Sequence, residues 1–209
     1  MLAVGSTVAL VSDADGEEVR TFAWSGTSLD AHVGEESARL AALDSEGALG
    51  VYENDGSRRV VAERSEGVAD AVFLPGGERM ATLASSGGIA LWRIDGLGGE
   101  DLGRVRGAVT LAVSPGGRFL LAANQEHVWV WELASGRRIG RLPAGTGRLA
   151  DRHFARGGDY VALLGGHGSV SVYALAVDEL LRLGRRQARR PFTADDFRRF
   201  GLSVPASYR

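Results

Sequence analysis

Short apolar stretches of five to seven residues recur along the chain, separated by clusters of turn-forming residues. They are TVALVSD (7–13), ALGVYEN (48–54), IALWRID (89–95), VWVWELA (128–134) and VSVYALA (170–176). Just downstream of the first four stand Asp15-Gly16, Asp55-Gly56, Asp95-Gly96 and Ser135-Gly136, spaced by 40 residues each time. Asp-Gly between two apolar runs favours a two-residue hairpin, because Gly accepts positive φ and Asp accepts it better than most residues. A second turn recurs earlier in the period, at LPGGER (74–79), SPGGRF (114–119) and ARGGDY (155–160), with a weaker version at GEESAR (34–39). In the first two, Pro fixes φ on entry, and the glycines supply the return. Between turns, residues 70–106 read as four strands: DAVFL, RMATLA, IALWRI and EDLGRVR.

Four-stranded units at a period near forty are the pattern of a propeller blade and not of a helical solenoid. The stretch GAVTLAVSPGGRFLLAANQEHVWVWELASGRRIGR (107–141) resembles the WD-repeat family, whose blades carry a strand, a Ser-Pro-Asp-Gly turn, a second strand, and a third ending in Trp-Asp. Trp131-Glu132 and Trp92-Arg93 stand at the Trp-Asp position, with Tyr52-Glu53 and Tyr173-Ala174 as weaker substitutes. The resemblance covers residues 1 to about 176 and is degenerate. Family blades often join a Gly-His, a turn Asp, a Ser or Thr and the Trp in a buried hydrogen-bond network. Here the turn position reads Glu46, Gly87, Glu126 and His167, and no Gly-His precedes the first strands. The expectation is that the network is absent and that stability rests on burial of both faces of each sheet.

The expected fold is therefore all-β, a propeller of four-stranded antiparallel blades, about four to five in number and incomplete, followed by a short helical tail. The periods divide the chain into a partial unit at 1–22, full units at 23–64, 65–106 and 107–146, a last unit at 147–176, and a tail at 177–209. A shift of 40 places Met1 inside a second strand, so the chain is expected to begin within a blade. A propeller sheet left open is a template for pairing, which predicts completion by missing blades, a partner or a second copy. A self-closed ring of four or five blades is the competing view.

Composition narrows the function. A 44% hydrophobic share suits a packed core, and a net charge of -2 gives no overall attraction to nucleic acid. No N-terminal run has the form of a signal peptide and none reaches membrane-spanning length, so the cytoplasm is the default expectation. The absence of Cys excludes disulfides and thiolate metal sites. All 24 basic residues are Arg, which removes phosphate-loop, kinase-type and Schiff-base lysines. No G-x-S-x-G or H-E-x-x-H motif is present. The Gly-rich pieces GLGGE (96–100) and GGHGS (165–169) sit between strands and precede no helix, so they read as turns and not as phosphate cradles.

The histidines and carboxylates make a weak case for chemistry. His32 and His153 align in first strands with Val72 and Ala112, which makes them pore-lining or packing residues; a shared metal would need a third ligand. His127 and His167 read as solvated turn residues. Asp13, Asp55 and Asp95 are explained by their turns. Glu17-Glu18 and Glu35-Glu36 are sequence neighbours that a strand would point to opposite faces. No catalytic, cofactor or metal residue is therefore expected. Glu46, Glu126 and His167 would share one face of a ring, as a candidate partner surface.

After VSVYALA the period breaks. VDELLRLGRRQARRP (177–191) reads as a helix with Leu180, Leu181, Leu183 and Ala188 on an apolar side and Arg182, Arg185, Arg186, Arg189 and Arg190 on a basic one. Gly184 weakens it and Pro191 ends it. Thr193 to Asp196 is a close variant of a capping box opening a short helix with Phe197 and Phe200 on one side. Residues 177–209 hold 8 Arg against 4 acids, so the tail is basic while the rest is acidic. Docking of the tail on the chain's own acidic surface is the favoured reading over nucleic acid or an anionic membrane, because aromatic interleaving is absent. Arg185, Arg186 and Arg189 are the tail's candidates for a partner surface.

The tail resembles one that follows the last blade in many bacterial WD-repeat proteins, here LLRLGRRQARRPFTADDFRRFGL (180–202). In those families it ends multidomain signalling proteins whose upstream part is often a STAND-type ATPase or a protein kinase. The expected function is a non-enzymatic protein-interaction scaffold with a protein partner, no cofactor and no small-molecule substrate. The alternatives are a C-terminal sensor fragment of such a signalling protein and, last, a propeller enzyme. Self-association through open propeller edges is a further expectation.

Overall fold

The computed structural model describes residues 2–4, 7–11, 18–23, 27–33, 38–43, 48–53, 57–62, 67–95, 98–143 and 148–187. They form five small antiparallel sheets and one helix. Sheet 1 holds β1 (Leu2–Val4), β2 (Thr7–Val11) and β3 (Glu18–Ala23). Sheet 2 holds β4 (Thr27–Val33), β5 (Ala38–Leu43), β6 (Leu49–Glu53) and β7 (Arg58–Ala62). Sheet 3 holds β8 (Val68–Phe73), β9 (Arg79–Ala84), β10 (Gly88–Arg93) and β11 (Gly99–Arg104). Sheet 4 holds β12 (Thr110–Val113), β13 (Phe119–Ala123), β14 (His127–Glu132) and β15 (Arg137–Pro143). Sheet 5 holds β16 (Leu149–Ala155), β17 (Tyr160–Gly165) and β18 (Val170–Ala174), after which α1 (Val177–Gln187) begins. The chain is thus all-β apart from α1 and a short 3-10 turn at Arg156–Gly158. No helix among the described residues is long and apolar enough to cross a membrane.

The four strands read between 70 and 106 lie within two residues of β8 to β11. The turns behave as their chemistry dictates. In LPGGER, Leu74 N donates to Arg79 O (2.9 Å) and Gly77 N to Leu74 O (2.9 Å), with Gly76 and Gly77 at φ 92° and 70°. In SPGGRF the same pair of bonds recurs, and Phe119 N donates to Ser114 Oγ at 2.9 Å. GGHGS closes as a hairpin through Gly165 N to Ser169 O (2.8 Å). Gly87 shows why a side chain cannot stand at its turn: its φ is 89° and a Cβ would lie 2.3 Å from Val105 O. GEESAR, the Asp15-Gly16 and Asp55-Gly56 turns, and the helix expected after Thr193 fall wholly or largely outside the described residues.

Sheets 2 to 5 stack face on face, with β4 beside β8 and β8 beside β12. Each sheet turns one apolar face to its successor. Ala41, Leu49 and Val51 of sheet 2 pack on Ala71, Phe73 and Met80 of sheet 3. Ala81, Leu83, Ile89 and Leu91 of sheet 3 pack on Leu120, Ala122 and Trp131 of sheet 4. Leu121, Ala123, Val128 and Val130 of sheet 4 pack on Val161 and Leu163 of sheet 5. Non-directional burial of this kind holds sheets together wherever side chains interdigitate.

Polar contacts also cross the sheet boundaries. Trp131 Nε1 donates to Leu102 O of sheet 3 at 2.9 Å, and Tyr173 Oη donates to Pro143 O of sheet 4 at 3.2 Å. Trp92 Nε1 instead donates to Thr82 Oγ1 within its own sheet, at 2.8 Å. The expectation that no aromatic-to-Thr bond would form is therefore corrected in sheet 3. Position 122 of sheet 4 is Ala, so Trp131 finds its acceptor across the boundary.

Candidate functional site

The innermost strands are joined by a row of carboxylate and guanidinium contacts. Asp30 Oδ2 accepts from Phe73 N of sheet 3 at 2.7 Å. Asp70 Oδ1 accepts from its neighbour Ala71 N (2.9 Å), while Oδ2 accepts from Leu111 N of sheet 4 (2.7 Å). From the other side, Arg152 Nη2 of sheet 5 donates to Thr110 Oγ1 (2.7 Å) and Leu111 O (2.8 Å). Burial pulls the Arg152 guanidinium below its ordinary value, with Asp70 and Asp151 opposing that loss. β-Bulges at Ser28/Asp30, Val68/Asp70 and Leu149/Asp151 set these side chains at the strand edge. These groups are mutually satisfied and serve as inter-sheet clamps.

The register also corrects the histidine alignment. His153 lies opposite Ala162, as Val72 lies opposite Ala81 and Ala112 opposite Leu121. His32 lies opposite Arg39, whereas the strand position matching Ala162 in sheet 2 is Ala41, which faces Asp30. The bulge ahead of Asp30 thus puts the two histidines out of step. His153 Nε2 lies 2.8 Å from Asp151 Oδ2, and the pair is exposed. Among the described residues no group of three or more His, Asp or Glu side chains is placed to hold a metal.

Of the candidate partner residues, Glu126 and His167 are exposed in the hairpins between second and third strands of sheets 4 and 5. His127 departs from the solvated-turn expectation: it opens β14, is half-buried, and its ring sits 5.7 Å from that of Trp129. Arg186 is exposed on α1, and Arg185 lies within the same helix. Glu46 and Arg189 lie outside the described residues.

A groove of about 920 Å³ opens at the other end of the strands, between sheets 2 and 3. It is lined by Arg39, Arg59, Arg79 and Arg93, by Glu53, Glu78, Asp95 and Glu100, and by Leu91 and Ile94. These residues begin or end strands at the hairpins joining first to second and third to fourth strands. Arg39 Nη1 donates to Gly77 O of sheet 3 at 2.6 Å. Its buried Nε makes no hydrogen bond and lies 3.7 Å from Glu53 Oε1, an oxygen that Arg59 Nε also approaches at 3.7 Å. Arg93 Nε donates to Asp95 Oδ1 at 3.2 Å, and that hydrogen bond with its charge raises the Arg93 guanidinium above its ordinary value. The lining contains no hydroxyl, imidazole or amine, so it offers planar cations and carboxylates but no nucleophile with an adjacent base. Sequence reasoning missed it because its charged residues come from two units and alternate with apolar strand positions.

Compared with known proteins, the chain matches no protein-family profile and no curated sequence.

Proposed function

We propose that the chain is a section of a WD-repeat-type propeller acting as a non-enzymatic protein-interaction scaffold. The observation that carries the reading is the mixed-charge groove between sheets 2 and 3, supported on stacked sheets and lined by side chains suited to pairing with both signs of charge. An extended peptide segment carrying both Arg or Lys and Asp or Glu is the occupant its chemistry fits. The face-to-face stacking of sheets with first strands side by side supports the propeller reading, as does the recurrence of four-stranded units every 40 residues. The cytoplasm is the proposed setting.

The test is selection of peptides from a random display library on the purified chain, followed by titration against Arg79→Glu and Glu100→Arg. Selected peptides should lose at least about tenfold in affinity on one or both reversals, since breaking a charged contact costs about 1.5–3 kcal/mol. Peptides insensitive to both would refute the groove as the binding site.

One observation favours a second reading. α1 leaves β18 where a fourth strand would otherwise follow, at the point where the tail resembles the ends of bacterial signalling proteins. On that reading the same scaffold is the sensor portion of a STAND-type ATPase or a protein kinase.

A further inference from the structure

Sheet 5 carries, on the face turned away from sheet 4, the same surface that sheets 2, 3 and 4 each bury under a successor. Register pairs Ala162 with Val172 and Leu164 with Val170, as it pairs Leu121 with Val130 and Ala123 with Val128 in sheet 4. In sheet 4 these four residues are at most 1% exposed. In sheet 5, Leu164 is 38% exposed, Val170 63% and Val172 60%.

The polar half of the interface is repeated too. Asp151 stands opposite Leu164 as Asp70 stands opposite Leu83. Asp151 Oδ1 accepts from its neighbour Arg152 N at 2.7 Å, which reproduces the Asp70 to Ala71 bond. The remaining oxygen of Asp70 accepts a backbone amide from the next sheet, whereas that of Asp151 contacts only the exposed His153 ring among the hydrogen bonds described. An apolar face and a pre-set amide acceptor coincide on one surface, and together they specify a β-sheet whose innermost strand offers a free N–H.

We infer that this face docks a β-sheet of a second copy of the chain. The surface that fits it is encoded here three times over, since sheets 3, 4 and 5 each present a matching face to a predecessor. The continuity of the free face with those three interfaces is what selects this occupant. The inference rests on the stacking of the described sheets and not on the scaffold reading, which concerns the groove between sheets 2 and 3.

Light scattering on the full chain across roughly two decades of concentration tests it, with Val172→Asp and Asp151→Ala measured alongside. The wild type should associate, Val172→Asp should weaken association by at least about a hundredfold, and Asp151→Ala by about tenfold or more. Circular dichroism should show both variants folded, since the substituted side chains are exposed in the single chain. Association unchanged by both substitutions overturns the inference, as does a wild-type monomer at every concentration. Alkylation of Val172→Cys, the sole thiol in that variant, then identifies what replaces the second copy. A protected thiol in a monomer assigns the face to another segment of the same chain, and a freely reactive one leaves it to a different polypeptide.

Discussion

Sheets 4 and 5 are written in one pattern and live in two environments. FLLAA and YVALL fill matching strands, and VWVW and VSVY follow them at the same spacing. In sheet 4 both faces are covered, and every residue of β13 is buried. In sheet 5 only Val161, Leu163 and their neighbours are covered, and the opposite face lies open. Hydrophobic patterning thus specifies what a strand can bury, and the neighbouring sheet determines what it does bury.

The comparison is broken most severely in the core. In dilute, unassociated chain, Leu121→Ala should cost about 2–5 kcal/mol by chemical denaturation, because it empties space that sheet 5 cannot refill. Leu164→Ala should stay within about 0.5 kcal/mol of the wild type. Equal losses would mean that the open face is covered in the single chain.

The next contrast is between the clamps. Asp70→Ala leaves the Leu111 amide without its carboxylate and should cost about 1–3 kcal/mol, whereas Asp151→Ala in dilute chain should be nearly silent. Trp131→Phe keeps most of the packing but strands Leu102 O, for a loss of about 1 kcal/mol. Tyr173→Phe removes a longer, more exposed bond and should cost less, which the same denaturation series would show.

The smallest effect is one of pH. The Arg152 backbone N–H, and secondarily His153, hold the Asp151 carboxyl below its usual range. A depressed carboxyl contributes stability above its unfolded value of about 3.9 and loses it as pH falls through the lower folded value. The small difference in melting temperature between wild type and Asp151→Ala should therefore be constant from neutral pH to about 5 and vanish below about 3. Persistence at low pH would show that the contact is not carried by the carboxylate.

Much of this architecture was legible in the residues. The Pro and Gly pairs at 75–77 and 115–117 dictate turns through φ alone, and the alternation between them dictates strands, so sheets 3 and 4 could be drawn before any packing was known. The helix at 177–187 was legible for the same local reason. The clamps were not. Asp30 and Asp70 stand 40 residues apart in first strands, a signal that was present but resembles ordinary strand-edge polarity. Their role depends on bulges, which shift register by one residue and leave no mark in hydrophobic periodicity. The same blindness aligned His32 with His153. The groove lay further out of reach, since it exists only once sheets 2 and 3 are set side by side.

Leu111 gives its N–H to Asp70 of sheet 3 and its carbonyl to Arg152 of sheet 5. One peptide-chain residue is therefore the hinge pin of two boundaries, and the two can be timed separately. Hydrogen exchange at the Leu111 amide reads the opening of the boundary with sheet 3, however often sheet 5 detaches. If sheet 5 frays first, as the outermost member of a nearest-neighbour stack should, the Leu163 amide will exchange in a faster wave than that of Leu111, and the interval between the waves is the lifetime of a chain with its last sheet undone.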